Sequence, residues 1–150
     1  MQIPVRGSLE QIEEGHQLQI LFNENGLIPV VTQDNASCEV LMLGWMNRDA
    51  LERTLATGMA HYWSRARQQI WKKGERSGQA QLVNHILVDD DQDCLLLKVT
   101  LTNGASCHVG YRSCFFRELN VRDGHTDFSL TFIETEKVYQ QKEVYGENHA

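Results

Sequence analysis

The chain has 150 residues, 41% of them hydrophobic and 23% charged, with only two prolines, which suits one globular domain over 1–150 and leaves no room for two full-sized ones. A formal net charge of −6 argues against a nucleic-acid polymer as partner, because duplex affinity rests on neutralising phosphates. No apolar run nears the ~20 residues that span a bilayer, so no membrane partner is expected.

The opening Met1 to Gly7 has no apolar h-region, so no secretory signal is expected and the default location is cytoplasmic. Thiols stay reduced there, and four cysteines read as ligands or core residues before they read as a disulfide frame. Ser8-Leu9-Glu10-Gln11 is a capping box that opens a short helix, with Gly15 as its stop. Residues 18–22 and 27–32 read as strands on either side of the turn-prone Asn23-Glu24-Asn25-Gly26.

Residues 40–45 form an apolar strand. Asn47 caps a helix over 48–57, with Leu51 and Leu55 on one face and Gly58 ending it. A strand follows over 59–64. Residues 65–79 are polar, basic and glycine-containing, and read as a loop. Strands return over 81–88 and 94–101, and Asn103-Gly104 reads as a hairpin turn into a strand carrying Cys107. A last strand over 128–133 precedes a polar tail. The expected class is α+β, rich in short, mostly antiparallel strands, with two or three helices.

Three stretches carry candidate chemistry. The first is Asp89-Asp90-Asp91-Gln92-Asp93. If extended, it places Asp89, Asp91 and Asp93 on one face, ~7 Å apart, and Asp90 on the other. Crowded carboxylates favour a hard cation, and Mg²⁺ binds through one or two carboxylates plus water and substrate phosphate. The bland alternative is a solvated acidic loop. A calcium EF-hand is rejected, because Cys94 stands where its glycine belongs and Thr100 where its bidentate Glu belongs.

The second stretch is Cys107-His108-Val109-Gly110-Tyr111-Arg112-Ser113-Cys114. The spacing is not that of a zinc finger, but the polar neighbours of both thiols favour a ligand role over a core one. Cys38 and Cys94, beside apolar strands, read as core. Two thiolates plus a third ligand and a water would make a catalytic zinc site. The third stretch runs from Trp63 and Arg65 through Trp71, Lys72, Lys73, Glu75 and Ser77. Basic groups grip phosphate and tryptophans stack on a heterocycle, so a small nucleotide is the expected ligand, against a solvated loop with two core tryptophans.

Together these segments resemble the phosphoribosyl-AMP cyclohydrolase family of histidine biosynthesis. The resemblance rests on Gly26-Leu27-Ile28-Pro29, Val40-Leu41-Met42-Leu43-Gly44-Trp45-Met46-Asn47, His61-Tyr62-Trp63-Ser64-Arg65, Trp71-Lys72-Lys73-Gly74-Glu75, Ser77-Gly78, Asp89-x-Asp91-x-Asp93 and Cys107-His108-x-Gly110-x-Arg112-Ser113-Cys114-Phe115, over about residues 18–118. It implies a β-rich, intertwined homodimer with active sites at the subunit interface, and hydrolysis of the purine ring of a nucleotide bearing a second phosphoribosyl group on N1. It further implies Mg²⁺ on Asp89, Asp91 and Asp93, Zn²⁺ on Cys107 and Cys114, and His108 as proton-transfer group. Trp63, Arg65, Trp71, Lys72, Lys73, Glu75, Ser77 and Arg112 would contact substrate. Bifunctional relatives carry a second, helical domain for which the tail here is too short.

Two positions depart from the pattern. Asp90 stands where the family has its third zinc cysteine, and Gln79 stands where His or Asn often follows Ser-Gly. Asp90 is chemically competent for zinc, while Cys94 and His108 are the other candidates for the third contact. Cys94 would need a bent backbone, since four extended residues span ~13 Å. The competing reading is a zinc-sparing paralogue, or a non-catalytic nucleotide- or metal-binding module of the same fold.

Overall fold

A computed structural model describes residues 2–140, apart from the side chains of residues 126 and 127, so the end of the polar tail lies outside the described residues. The elements are α1 (Leu9–Glu14), β1 (Ile28–Asp34), β2 (Val40–Met46), α2 (Arg48–Thr57), β3 (His61–Ser64), β4 (Gln69–Lys72), β5 (Gln81–Val88), β6 (Leu95–Leu101), β7 (Arg117–Arg122) and β8 (His125–Phe132). The expected α+β class, strand-rich and mostly antiparallel with few helices, holds. The main sheet has the order β2-β1-β6-β5, with β1 and β6 parallel and both outer pairs antiparallel. β3–β4 and β7–β8 are separate hairpins.

Local chemistry explains the elements that follow expectation. Ser8 Oγ accepts from Gln11 N while Gln11 Oε1 accepts from Ser8 N, and α1 stops at Gly15. Asn47 Oδ1 accepts from Ala50 N at 2.8 Å and starts α2, which Gly58 closes by donating to Thr54 O. In β1, inward Ile28, Val30 and Thr32 are inaccessible, while Pro29 and Val31 stay half-buried, the period-two signature of a strand with one covered face. Ile28, Val30, Leu41, Met46, Leu51, Leu95, Leu97 and Val99 form the core. Each such side chain contributes about 1.5–3 kcal/mol.

Six expectations are corrected. Residues 18–22 are not a strand, because Gln92 claims their backbone: Gln19 N donates to Gln92 Oε1 at 2.6 Å and Leu21 N to Gln92 O at 2.9 Å. The loop over 65–79 contains β4, whose alternation of Gln69, Ile70, Trp71 and Lys72 is short and masked by basic neighbours; it pairs with β3 from His61↔Lys72 to Ser64↔Gln69. Asn103-Gly104 does not turn into a strand. The Asn103 side-chain amide donates to Gly78 O instead, and Cys107 lies on an irregular loop. The last strand starts earlier than expected and pairs with the unforeseen β7. On α2, Leu55 is exposed and Thr54 is buried, its hydroxyl accepting from His61 N at 2.9 Å. Cys38 is not core: it is exposed at φ 62° in the β1–β2 turn.

β3 lays Tyr62 on the main sheet, where the ring is buried. The Tyr62 hydroxyl donates to Gln81 Oε1 at 2.6 Å and pairs with Thr32 Oγ1 at 2.7 Å. Gln81 Nε2 continues the chain to Ser106 Oγ at 3.2 Å. Burial pushes the Tyr62 phenol upward, so it stays neutral. This polar ladder fixes residue 106, and with it the start of the thiol loop, against the core.

Candidate active site

A cleft of about 560 Å³ opens between β2, the β3–β4 hairpin, the turn over 73–77 and the loop over 106–114. Trp71, Lys72, Lys73, Glu75, Ser77, His108 and Cys114 all line it, with Met42 and Ser106. Of the anticipated site residues, the structure thus brings seven to one cavity. The turn is tight: Glu75 N donates to Lys72 O at 3.0 Å and Gly78 N to Gly74 O at 2.8 Å. Gly74 has φ 86°, and a Cβ on it would stand 2.4 Å from Ala80 N, so no other residue fits there without moving the chain. Met42 and Ser106 gave no sequence signal beyond their neighbourhood, since one reads as core strand and the other as a polar loop residue.

Cys107 is buried and Cys114 borders the cleft. The Cys107 and Cys114 side chains perturb one another: the interaction with Cys114, against opposing burial and with help from the backbone at Val109, pulls Cys107 down to about 5. The same interaction, together with burial, drives Cys114 upward, so the two thiols titrate as a coupled pair. Lys73 lies beside it, buried, with Nζ donating to Ser106 O at 2.5 Å and 5.4 Å from the Trp71 ring centroid. Burial pushes the Lys73 ammonium down, and the charges of Cys114 and Cys107 oppose that. A soft or borderline cation suits two crowded thiols of this kind.

The thiol loop is held from three sides. Internally, Ser106 N donates to Arg112 O at 2.8 Å and Cys107 N to Tyr111 O at 3.1 Å. Towards the sheet, Cys114 N donates to Leu41 O at 2.7 Å and Ser113 Oγ to Val40 O at 2.8 Å. Arg112 Nη2 meets Asp34 Oδ1 at 3.0 Å and Arg112 Nε meets Glu39 Oε2 at 2.9 Å. Its guanidinium is therefore engaged by two carboxylates, and it is not among the residues lining the cleft. From outside, Tyr139 Oη donates to Cys107 O at 3.0 Å. Gly110, at φ 114°, admits this contact, because a Cβ there would stand 2.0 Å from Tyr139 O.

The aspartates form the β5–β6 turn and are not extended, which corrects the alternating-face expectation. Asp89 N donates to Cys94 O at 3.2 Å, and Asp89 Oδ1 accepts from Asp93 N and Cys94 N at 3.0 Å each. The turn is forced by Gln92, which adopts φ 58°, is buried, and donates from Nε2 to Ile12 O at 2.9 Å. One oxygen each from Asp89, Asp90 and Asp91 lies within 4.8 Å of the others. Hydrogen bonds with the Asp91 and Asp89 carboxyls raise Asp93 to about 6. Like charges packed this closely fit a hard divalent cation.

The two candidate ligand sets do not meet within the chain. The acidic turn caps the end of the main sheet where Val88 pairs with Leu95, whereas Ser106 hangs from Gln81, which pairs with Leu101. Six strand steps separate those pairings, ~20 Å at ~3.3 Å per residue. Among the described residues, Asp90 groups with Asp89 and Asp91 and with no thiol. Cys94 is half-buried beside the aspartates, and His108 is the candidate third ligand next to the thiol pair in the chain. Trp63 and Arg65 also leave the cleft. They line a separate recess of about 430 Å³ with Asn25, Leu27, Asn47 and Gln68.

Comparison with known proteins adds an independent line. The family model described as Phosphoribosyl-AMP cyclohydrolase matches residues 42–116, which takes in the basic turn, the acidic turn and the thiol loop. A protein named Phosphoribosyl-AMP cyclohydrolase from Methanosarcina acetivorans is 51% identical, over 85% of this chain and 98% of its own length. Proteins of the same name from Methanococcoides burtonii and Chlorobium phaeovibrioides are 49% and 45% identical, over 83% and 95% of this chain and 93% and 99% of their own lengths.

Proposed function

The chain belongs to the phosphoribosyl-AMP cyclohydrolase family of histidine biosynthesis, and from that premise we propose that it breaks the N1–C6 bond of phosphoribosyl-AMP in the cleft beside Cys107 and Cys114, with zinc and magnesium as its metals. The observation that carries this reading is the convergence of Cys114, His108, Lys72, Lys73 and Trp71 on one cavity.

Cys107 and Cys114 would hold zinc; their coupled titration, which favours the thiolate of Cys107, suits a soft or borderline cation. Zinc, when bound, lowers the pKa of water to around 7 and so supplies hydroxide at neutral pH. A water oxygen would add at C6, where N1 substitution leaves the ring electron-poor, and the N1–C6 bond would break with its electron pair passing to N1, which takes the proton that the water gives up. His108, on the cleft wall next to Cys107, takes up and returns the proton this requires. Trp71 offers its face to the purine, and Lys72 its charge to a phosphate. Asp89, Asp91 and Asp93 would hold magnesium against a substrate phosphate.

A homodimer completes the proposal. The separation of acidic turn and thiol loop within one protomer supports a site built from two copies, with Asp90 or Cys94 of one reaching the thiols of the other. The cell compartment that suits free thiols is the cytoplasm. A zinc-sparing reading draws on one observation, the carboxylate at position 90.

Ring opening of phosphoribosyl-AMP, followed by ultraviolet absorbance, separates the readings. Chelator-treated protein should lose turnover, and Zn²⁺ with Mg²⁺ should restore it better than either ion alone. Full turnover by rigorously metal-free protein would refute the metal assignment, and no turnover under any metal would refute the reaction.

A further inference from the structure

We propose that Gln79 is a positioning residue for the thiol loop, and that together with Lys73 it fixes the gap between the basic turn and the thiol loop; that the loop serves zinc and ring opening rests on the function proposed above. Position 79 is where the sequence leaves the family pattern, with Gln in place of the frequent His or Asn. Gln79 is buried and is not among the residues lining the cleft, so it acts on the site through its neighbours. A buried carboxamide calls for polar partners, and Gln79 finds one 26 positions away. Ala105 N donates to Gln79 Oε1 at 3.2 Å, and Gln79 N donates to Ser77 Oγ at 3.1 Å.

These contacts join two walls of the cleft from behind. Ser77 lines the cleft from the basic turn, and Ala105 leads directly into Ser106-Cys107-His108, of which Ser106 and His108 line it from the thiol loop. Lys73 makes a second tie. It is buried, its own N–H donates to Ala60 O at 3.0 Å, and its ammonium donates to Ser106 O at 2.5 Å. The Asn103 side-chain amide makes a third, on Gly78 O. Residues 102–116 form neither strand nor helix, so individual hydrogen bonds of this kind set where the loop stands. Side-chain length at position 79 matters for the same reason. An Asn would hold its oxygen one methylene, about 1.5 Å, nearer its own backbone and out of reach of Ala105 N. Without that acceptor the N–H of Ala105, which is inaccessible, is left unpaired.

The test compares the full chain with Gln79→Met, which keeps the length and removes the acceptor, with Gln79→Asn, and with Lys73→Met. Alkylation of metal-free protein by iodoacetamide, located by peptide mass well below the unfolding temperature, should quicken at Cys107 in all three and stay at the wild-type rate at Cys94. Zinc affinity, from competition with a chelator, should drop about tenfold, the loss expected when a buried donor is left unpaired. At saturating Zn²⁺ and Mg²⁺, kcat for phosphoribosyl-AMP should fall while KM stays within about twofold. Wild-type alkylation and zinc affinity in both Gln79 variants would overturn the proposal, as would equal quickening at Cys94, which means general loosening. A KM raised about tenfold in Lys73→Met with zinc affinity unchanged would make Lys73 a substrate contact and overturn its part. Faster Cys107 alkylation and weaker zinc binding in variants of a protein that never opens phosphoribosyl-AMP would support the positioning role while refuting the proposed reaction.

Discussion

Two thiols that titrate as a coupled pair cannot both keep an ordinary pKa, and that makes Cys107 and Cys114 the most consequential side chains of the proposed site. Cys107→Ser or Cys114→Ser should remove bound zinc, measured by metal analysis, and reduce turnover to background. Cys38→Ser should change neither, because that side chain is exposed in the β1–β2 turn. Equal losses in all three would mean a packing role. Asp34 supports the same site from behind. Hydrogen bonds from Ser37, outweighing burial and joined by the charge of Arg112, hold its carboxyl below the usual range. A carboxyl depressed on folding contributes stability above its unfolded value of about 4, and that contribution is lost as pH falls through the lower folded value. Urea midpoints should therefore fall more steeply below about pH 4 in wild type than in Asp34→Asn. An identical acid limb in both would remove Asp34 from the account. The candidate ligand types at this scale were legible in the sequence, but the coupling of the two thiols was not, since it depends on two residues seven apart meeting in space.

Capping boxes and period-two alternation travel well from sequence to structure because their physics is local. α1, α2, β1, β2, β5 and β6 all follow it. β4 and β7 did not announce themselves: one is four residues long inside a basic stretch, and the other alternates with its largest apolar side chains half-exposed. The expected strands over 18–22 and through Cys107 failed for one reason. Their backbone groups found partners outside a ladder, on Gln92 and within the 106–112 loop. At this scale Asn47→Ala should cost about 1 kcal/mol and lower Tm by a few degrees, by removing the cap of α2. Gly110→Ala should cost more, because its added carbon meets the Tyr139 carbonyl, and it should loosen the thiol loop as well. Thermal melts with thiol-titration rates check both. Wild-type Tm and thiol reactivity in Gly110→Ala would show that the 137–139 segment does not brace the loop.

The chain holds two candidate metal-ligand sets that it does not bring together, so the whole molecule is predicted to be a homodimer with composite sites. Light scattering should give twice the 17.2 kDa chain mass at concentrations that support turnover. A mixture of Cys114→Ser and Asp91→Asn protomers, each inactive alone, should regain a fraction of turnover through heterodimers that carry one intact site. A fully active monomer would end this proposal. Within such a dimer, Asp90→Cys should tighten zinc binding and keep activity, and Asp90→Ala should weaken both. Zinc content and rate near wild type in Asp90→Ala would assign the third contact elsewhere.

The sequence by itself determined the family, the fold class and the inventory of candidate ligands. Those rest on residue types and short spacings: thiols seven apart, alternating aspartates, a glycine-rich basic run. Only the tertiary structure decided how the inventory is distributed. Gln92, buried against α1, bends the aspartates into a turn and sets Cys94 beside them. Arg112 is engaged by Asp34 and Glu39 outside the cleft lining, and the alternation of β3 sends Trp63 and Arg65 away from Trp71 and Lys73. The first two outcomes follow from contacts between residues tens of positions apart, and the third from a hairpin register, where no local pattern records which partner a side chain will meet.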